Sequence, residues 1–257
     1  KYIELHCHSN YSFQEGASSV EELLVRAKEL GYPALALTDH DNLCGAMHFA
    51  EVARSLDLQA ITGAEVTLKD GSHLTLLAET RQGYRNLCNL LSYSYITGGR
   101  RNPGLDPRHL PELAEGLILL TGCRKGQIPG LLAEGRPEKA EEALRQYLDW
   151  FGTANVFVEL QQNLVQGDTQ RNRRLIELAR KLGAAVVATN NVHYHVPERH
   201  RLQDALVAIS YNQSLENTHP QRRPSGQFYL KSPEEVAGLF RGCPEAVENT
   251  LAIAGRC

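Results

Sequence analysis

Two hydrophobic periods alternate along this chain. Short unbroken apolar runs read as buried strands: IEL (3–5), ALALT (34–38), QAITGAEVTL (59–68), HLTLLA (73–78), GLILLT (116–121), VFVEL (156–160) and AAVVAT (184–189). Between most of them the apolar residues recur at helical spacing. The first such segment, 20–30, sets Leu23, Leu24, Ala27 and Leu30 on one face, with Ser19 as its N-cap. Others cover 45–56, 84–95, 137–150, 168–182, 198–209 and 232–240. Gly31, Gly83 and Gly183 punctuate helix ends or starts. This alternation predicts an α/β fold, with a parallel sheet of about seven strands covered on both sides. No GxGxxG follows the first run, which argues against a dinucleotide-binding sheet and leaves a closed barrel as the better choice. GGRRNPG (98–104) and HPQRRPSG (219–226) read as loops, and no internal repeat is present.

Composition narrows the class. The 257 residues are 42% hydrophobic and 22% charged, ordinary for a globular chain. The formal net charge of −3 gives no overall pull toward nucleic acid, so any such contact must be local. No apolar run approaches the ~18–20 residues of a membrane span, and no signal peptide is visible, so no membrane partner is expected. Six cysteines placed singly, without CxxC, point to a reduced, cytoplasmic protein. The chain starts at Lys1 without Met and reads as a processed product or a piece of something longer.

The ten histidines carry the chemistry. In α/β folds, functional groups gather where the strands run out. Here those ends read His6-Cys7-His8, Thr38-Asp39-His40, Glu65, Gly122-Cys123, Glu159 and Asn190-Asn191-Val192-His193, while His73 opens the HLTLLA run. Such donors suit Zn²⁺, Mn²⁺ or Fe. His6 and His8 are two residues apart in an extended segment and so share a face, where both reach one ion. Each signal also has a plain structural reading. Asp39 fits a helix N-cap, Cys123 a small core residue, and Glu159 a partner for an arginine on a barrel rim. His48, His109, His195, His200 and His219 fall in helical or loop positions and read as solvated or structural. Joint occurrence at strand ends is harder to explain by packing, because uncompensated buried polar groups cost free energy.

The set HCHSNYS…EG, ALTDHDNLCG, TGAE, HLTLLAET…GYRNL, GLILLTGCRKG, FVELQ and VVATNNVHY resembles the PHP (polymerase and histidinol phosphatase) superfamily. The closer likeness is to the N-terminal PHP domain of bacterial C-family DNA polymerases, both the replicative polymerase III α subunit and its error-prone relative. It runs from about residue 2 to the end. The resemblance implies that 1–257 form a single domain of a larger polymerase, folded as a distorted (β/α)7 TIM-like barrel. It further implies up to three divalent ions (Zn, Mn or Fe, with Mg²⁺ also admissible) on His6, His8, Glu15, His40, Glu65, His73, Cys123, Asn191 and His193. Two positions depart from the family pattern. Glu15 stands where Asp is usual and keeps its carboxylate one methylene further out. Asn191 also stands for Asp and brings no charge, which should weaken one metal position. Asp39 and Glu159 are expected to orient the ligands from behind.

By that resemblance the expected chemistry is phosphoester hydrolysis. Clustered divalent ions lower the pKa of water and clamp the attacking and leaving oxygens of an in-line displacement. A 3′-terminal phosphodiester of DNA would be cleaved, as by a 3′–5′ exonuclease, with His6, His8 and Asn191 beside the reacting atoms. Arg100, Arg101, Arg124, Lys125, Arg222 and Arg223 are candidate phosphate contacts, Arg124 the best placed because it follows Cys123. The alternative is a catalytically weak domain that braces the polymerase and docks partners such as a proofreading subunit. An amidohydrolase would also begin with HxH, but no strand-end lysine and no suitable aspartate are found. A small-molecule phosphatase of the same superfamily would lack GYRNL and TGCRKG. No paired-carboxylate polymerase palm fits in the chain.

Overall fold

The computed structural model describes residues 1–99 and 102–257; Arg100 and Arg101 lie outside the described residues. Helix α1 (Val20–Glu29) opens with a reciprocal cap: Ser19 Oγ accepts from the Glu22 N–H, and the Glu22 carboxylate accepts from the Ser19 N–H. Strands β1 (Ala34–Leu37), β2 (Gln59–Thr67), β3 (His73–Ala78), β4 (Leu117–Leu120), β5 (Val156–Gln161) and β6 (Ala185–Thr189) form one curled sheet in chain order. The IEL run is not a ladder strand. It lies as an extended stave between β1 and the chain leaving β6. Ala36 N–H donates to Glu4 O (3.0 Å) and Thr38 N–H to Cys7 O (2.8 Å) on one side; on the other, His8 and Val192 N–H donate to Val192 O and His6 O at 2.8 Å. Regular pairing is interrupted because the Glu4 side chain itself accepts from the backbone N–H groups of His6 and Asn190. With this stave the sheet closes into a distorted barrel.

The sheet is mixed, contrary to the all-parallel expectation. β1–β2, β4–β5 and β5–β6 are parallel, but β3 runs antiparallel to both of its neighbours. The reason is local. A tight turn at Asp70-Gly71, with Gly71 at φ 82°, joins β2 directly to β3 and leaves no room for a crossover. The inversion matters for chemistry. The start of β3 lies at the barrel mouth, where the other strands end, and His73 pairs with Thr67 there.

Inward residues of the staves (Ile3, Leu5, Ala34, Ala36, Ile61, Leu77, Ile118, Leu120, Phe157 and Val187) fill the lower barrel, and Ile253 and Ala254 of α9 (Pro244–Ala254) plug its floor. Outward residues such as Leu35, Leu37, Leu74 and Leu76 pack under the helices. These are α1, α2 (Ala46–Ser55), α3 (Arg81–Gly98), α4 (Gln127–Ala133), α5 (Pro137–Phe151), α6 (Asp168–Leu182), α7 (His200–Ser210) and α8 (Pro233–Leu239). Neither α4 nor α9 is foreseen by periodicity. Pro129 and Gly130 interrupt α4, and α9 opens on Pro244 and buries one face built largely of small residues, Ala246, Thr250 and Ala254 beside Val247 and Ile253.

Gly83 is not a helix boundary; it lies inside α3. A Cβ there would sit 1.7 Å from the Gly116 carbonyl oxygen. Alanine ordinarily gains up to about 1 kcal/mol over glycine in a helix. Gly83→Ala should instead lower stability by about 1–3 kcal/mol, because backbone must move. Urea denaturation reads the sign directly, and a stabilised variant would contradict the close approach.

Candidate metal centre

The barrel mouth collects imidazoles around one carboxylate. Glu65, 2% exposed, ends the inward row of β2. Its Oε1 lies 3.3 Å from His6 Nε2 and 3.2 Å from His73 Nδ1; its Oε2 lies 3.6 Å from His8 Nε2 and 3.9 Å from His40 Nδ1. Ring centroids are 5.2 Å apart for His6–His8, 4.4 Å for His8–His193 and 4.7 Å for His40–His73. Two donor groups are compact enough to hold an ion: His6, His8 and Glu65, and His40, Glu65 and His73.

Four of the five rings at the mouth are oriented from behind, which fixes the tautomer each adopts when neutral. His6 Nδ1–H donates to Glu159 Oε1 at 2.6 Å. His8 Nδ1–H donates to Ser12 Oγ at 3.0 Å, and Ser12 donates onward to Asp39 at 2.6 Å. His193 Nδ1–H donates to the Asn191 carbonyl at 2.8 Å. His40 Nε2–H donates to Thr67 Oγ1 at 2.8 Å, and Thr67 in turn donates to Asp41 at 2.7 Å. With the rings neutral, the nitrogens left over (Nε2 of His6, His8 and His193, Nδ1 of His40) carry lone pairs turned toward the cluster. Glu15 Oε2 lies 3.0 Å from His40 Nδ1. The loop that brings Glu15 in depends on Gly16, where a Cβ would meet the Ser9 carbonyl oxygen at 1.9 Å. Cys123 Sγ sits 3.9 Å from His73 Nδ1. Asn191 adopts φ 49°, a left-handed conformation that Asn tolerates, and its Oδ1 is buried.

The nine sequence-expected donors therefore meet at one mouth. Asp39 is not a helix N-cap: it accepts from Ser9 N–H (2.7 Å), Ser9 Oγ (2.8 Å) and Ser12 Oγ, tying the loop after His8 to the end of β1. Glu159 pairs with no arginine among the described residues; it accepts from His6, Gln161 and Thr189. Glu4 and Ser12 escape sequence reading. Glu4 is fully buried, and burial pushes its carboxyl up to about 7 against the hydrogen bonds it accepts. Its place in an apolar run gives no hint that it clasps two strand ends.

The basic residues divide. Arg124, expected to be best placed, is held by Asp168 (3.1 Å) and the Gln166 carbonyl (3.1 Å). Arg222 is held by Asp204 at 2.8 Å. The guanidinium at the cluster belongs to Arg223, which donates to His193 Nε2 and lies 5.0 Å from the Phe228 ring centroid. Lys125 is exposed on the rim of the same cleft. Of the remaining histidines, His48 pairs with Glu21, His109 stacks on Tyr93 and His195 bonds Ser18, all away from the cluster.

Buried acids and imidazoles set each other's charge. Burial would lower His6, but Glu159 and Glu65 beside it raise it to about 10; burial is likewise outweighed at His40, which Glu15 and Glu65 raise to about 9. Burial holds His8 down to about 3 and, with Arg223 adjacent, keeps His193 well below its usual value. Glu65 is held well below the carboxylate range by His73 and His6 despite its burial. Burial raises the Cys123 thiol. The buried acids thus demand positive charge beside them. A divalent cation meets that demand and lets the imidazoles bind as neutral ligands.

A direct test of fit is the set of buried atoms that find no hydrogen-bond partner. Among the described residues these include His6 Nε2, His8 Nε2, Glu65 Oε1 and Asn191 Oδ1, all at the mouth. Buried polar atoms are rarely left so. Two imidazole nitrogens, a carboxylate oxygen and an amide oxygen form a ligand set for Zn²⁺, Mn²⁺ or Fe.

A family model described as PHP domain matches residues 4–163. An error-prone DNA polymerase of Symbiobacterium thermophilum is 41% identical over 272 residues, covering 100% of this chain and 25% of that protein. The DNA polymerase III subunit alpha of Treponema pallidum is 42% identical over 270 residues, covering 100% of this chain and 23% of that protein. The chain thus spans about a quarter of the length of the curated relatives it matches. A solved structure from Bifidobacterium adolescentis, named as a candidate metal-dependent phosphoesterase, aligns at TM-score 0.49 and 13% identity over 74% of this chain and 87% of that one, too remote to bear on function.

Two substitutions probe the centre. Glu159→Gln keeps shape but weakens the bond that orients His6. It should lower Mn²⁺ or Zn²⁺ affinity about 10–100-fold by isothermal titration calorimetry, with the fold intact by circular dichroism. Asn191→Asp puts a carboxylate where the chain has an amide and should tighten the weakest-bound ion by roughly tenfold. Unchanged isotherms in both variants would remove these residues from the metal's surroundings.

Proposed function

Because the chain belongs to the PHP domain family, we propose that it is a metal-dependent phosphoesterase that removes nucleotides from DNA 3′ ends within a DNA polymerase of the III α or error-prone type. The observation that carries this reading is the cluster of bare buried donors on His6, His8, Glu65 and Asn191. Divalent ions bound there supply an activated water and neutralise charge on the phosphate in flight. The chain's own residues do the rest. Glu159, Ser12 and the Asn191 carbonyl fix the His6, His8 and His193 rings, so the ligand nitrogens need no reorganisation during turnover. Arg223, in the 219–226 loop, is the arginine at the cluster among the described residues. Its N–H groups donate to a non-bridging oxygen of the scissile phosphate once His193 Nε2 is engaged elsewhere. Water oxygen adds to phosphorus and the P–O3′ bond breaks. The products are a nucleoside 5′-monophosphate and a strand one residue shorter with a free 3′-hydroxyl.

The shape of the barrel mouth supports strand ends as the substrate. The cluster lies below the rim, with His6 and His8 fully buried, and a cleft of about 280 Å³ leads to it. A terminal nucleotide enters such a cleft, whereas a duplex does not.

With Mn²⁺ or Zn²⁺ restored after chelation, the chain should shorten 5′-labelled single-stranded DNA from its 3′ end. His6→Ala should reduce the rate at least about a hundredfold, as removal of a key electrostatic group does. Arg223→Gln should raise KM and flatten the decline of activity with salt. Metal-loaded protein that hydrolyses no phosphoester at all would make the domain a bracing module of the polymerase instead.

A further inference from the structure

The wall of the cleft opposite the cluster has its own pattern. Gln203, Val207 and Tyr211 are spaced four residues apart along α7 and its C-cap, so they stack on one helix face, and all three line the cleft. Glu15, Cys123 and Asn191 of the metal centre line the facing side. Gln203 is 2% exposed, yet its Oε1 is buried without a hydrogen-bond partner. Tyr211, by contrast, is 55% exposed at the outer end of the row. Hydrophobic packing does not account for this order. A core-facing helix would bury the aromatic ring and keep the amide in water.

We propose that this face of α7 is a nucleobase subsite: the Tyr211 ring stacks on the base of the terminal nucleotide, and Gln203 accepts a hydrogen bond from that nucleoside. The proposal rests on the phosphoesterase reading for the position of the phosphate, at Arg223 and the cluster. A flat ring beside cations is the combination that holds single-stranded nucleic acid, because every base offers a π-face. The cleft, about 280 Å³, is at the small end of small-molecule sites and suits one nucleotide, not two. Gln203 lies two helical turns, about 12 Å, below Tyr211, so its Oε1 meets the sugar hydroxyl and not the base. The subsite therefore selects nucleotides over simple phosphoesters without selecting among bases.

The test is calorimetric and needs no turnover. Thymidine 5′-monophosphate and 2-deoxyribose 5-phosphate are titrated into the full chain in saturating Mn²⁺. The nucleotide should bind about ten- to a hundredfold more tightly, the range of one aromatic–base stack. Tyr211→Ala should bring the two ligands within about twofold, because the stack is the source of the difference, while Tyr211→Phe keeps the preference. Tyr211 is exposed at a helix end, so neither variant should unfold the chain. Equal affinity of the two ligands for the unmodified chain, or a preference that survives Tyr211→Ala, overturns the subsite and leaves the phosphoesterase reading standing. Failure of both ligands to bind overturns that reading and the subsite with it.

Discussion

One carboxylate surrounded by imidazoles governs this fold. Glu65 is buried and has four imidazole nitrogens within 3.2–3.9 Å. Nothing in an ordinary core asks for that arrangement. A buried acid must be matched by positive charge, and each buried ring needs both its nitrogens satisfied. The protein meets the second demand at only one nitrogen of His6 and of His8. The free energy withheld there is recovered when cations fill the mouth. Acid, rings and ions are thus one electrostatic unit spread over five stretches of chain.

The barrel exists in the form that brings those stretches together. The first stave carries His6 and His8, β1 leads to His40, β2 carries Glu65, and the chain after β6 delivers Asn191 and His193. β3 would place His73 at the wrong end if it ran parallel; the Asp70-Gly71 turn inverts it. Irregular pairing along the first stave follows from the same need. Glu4 takes backbone donors of His6 and Asn190, so two strand ends that carry ligands are clasped by a side chain rather than by a ladder. Asp39 does the equivalent for the loop after His8.

Much of this was legible in the chain, for identifiable reasons. Unbroken apolar runs mark β1 to β6 within a residue or two, because strands buried on both faces admit few polar residues. Donor residues stood out because they end those runs. What escaped depends on partners distant in sequence. Glu4 alternates with Ile3 and Leu5 as any outward strand residue would, and only the return of Asn190 makes it an internal clasp. Adjacency to Cys123 favoured Arg124, which does line the cleft, but its guanidinium is engaged by Asp168 on α6. Asp204 on α7 does the same for Arg222, which leaves Arg223 at the cluster. The plug helix α9 was hidden because its buried face is carried largely by small or polar residues, Ala246, Thr250 and Ala254, beside Val247 and Ile253.

Asn191 shows how backbone and charge are traded at such a site. Its left-handed φ of 49° is open to few residues besides Gly, Asn and Asp. That conformation lets its carbonyl accept from His193 Nδ1–H while its side chain turns into the mouth. Gly would keep the turn but lose the donor atom; a β-branched residue would lose the turn. Asn keeps both and gives up only one negative charge. With Glu65, Glu15 and Glu159 already close by, that missing charge lowers the repulsion the mouth must bear before cations arrive. The amide therefore leaves the mouth with one acid fewer to balance. Arg223 acts in the same sense, since its guanidinium places positive charge over His193 and the acids below.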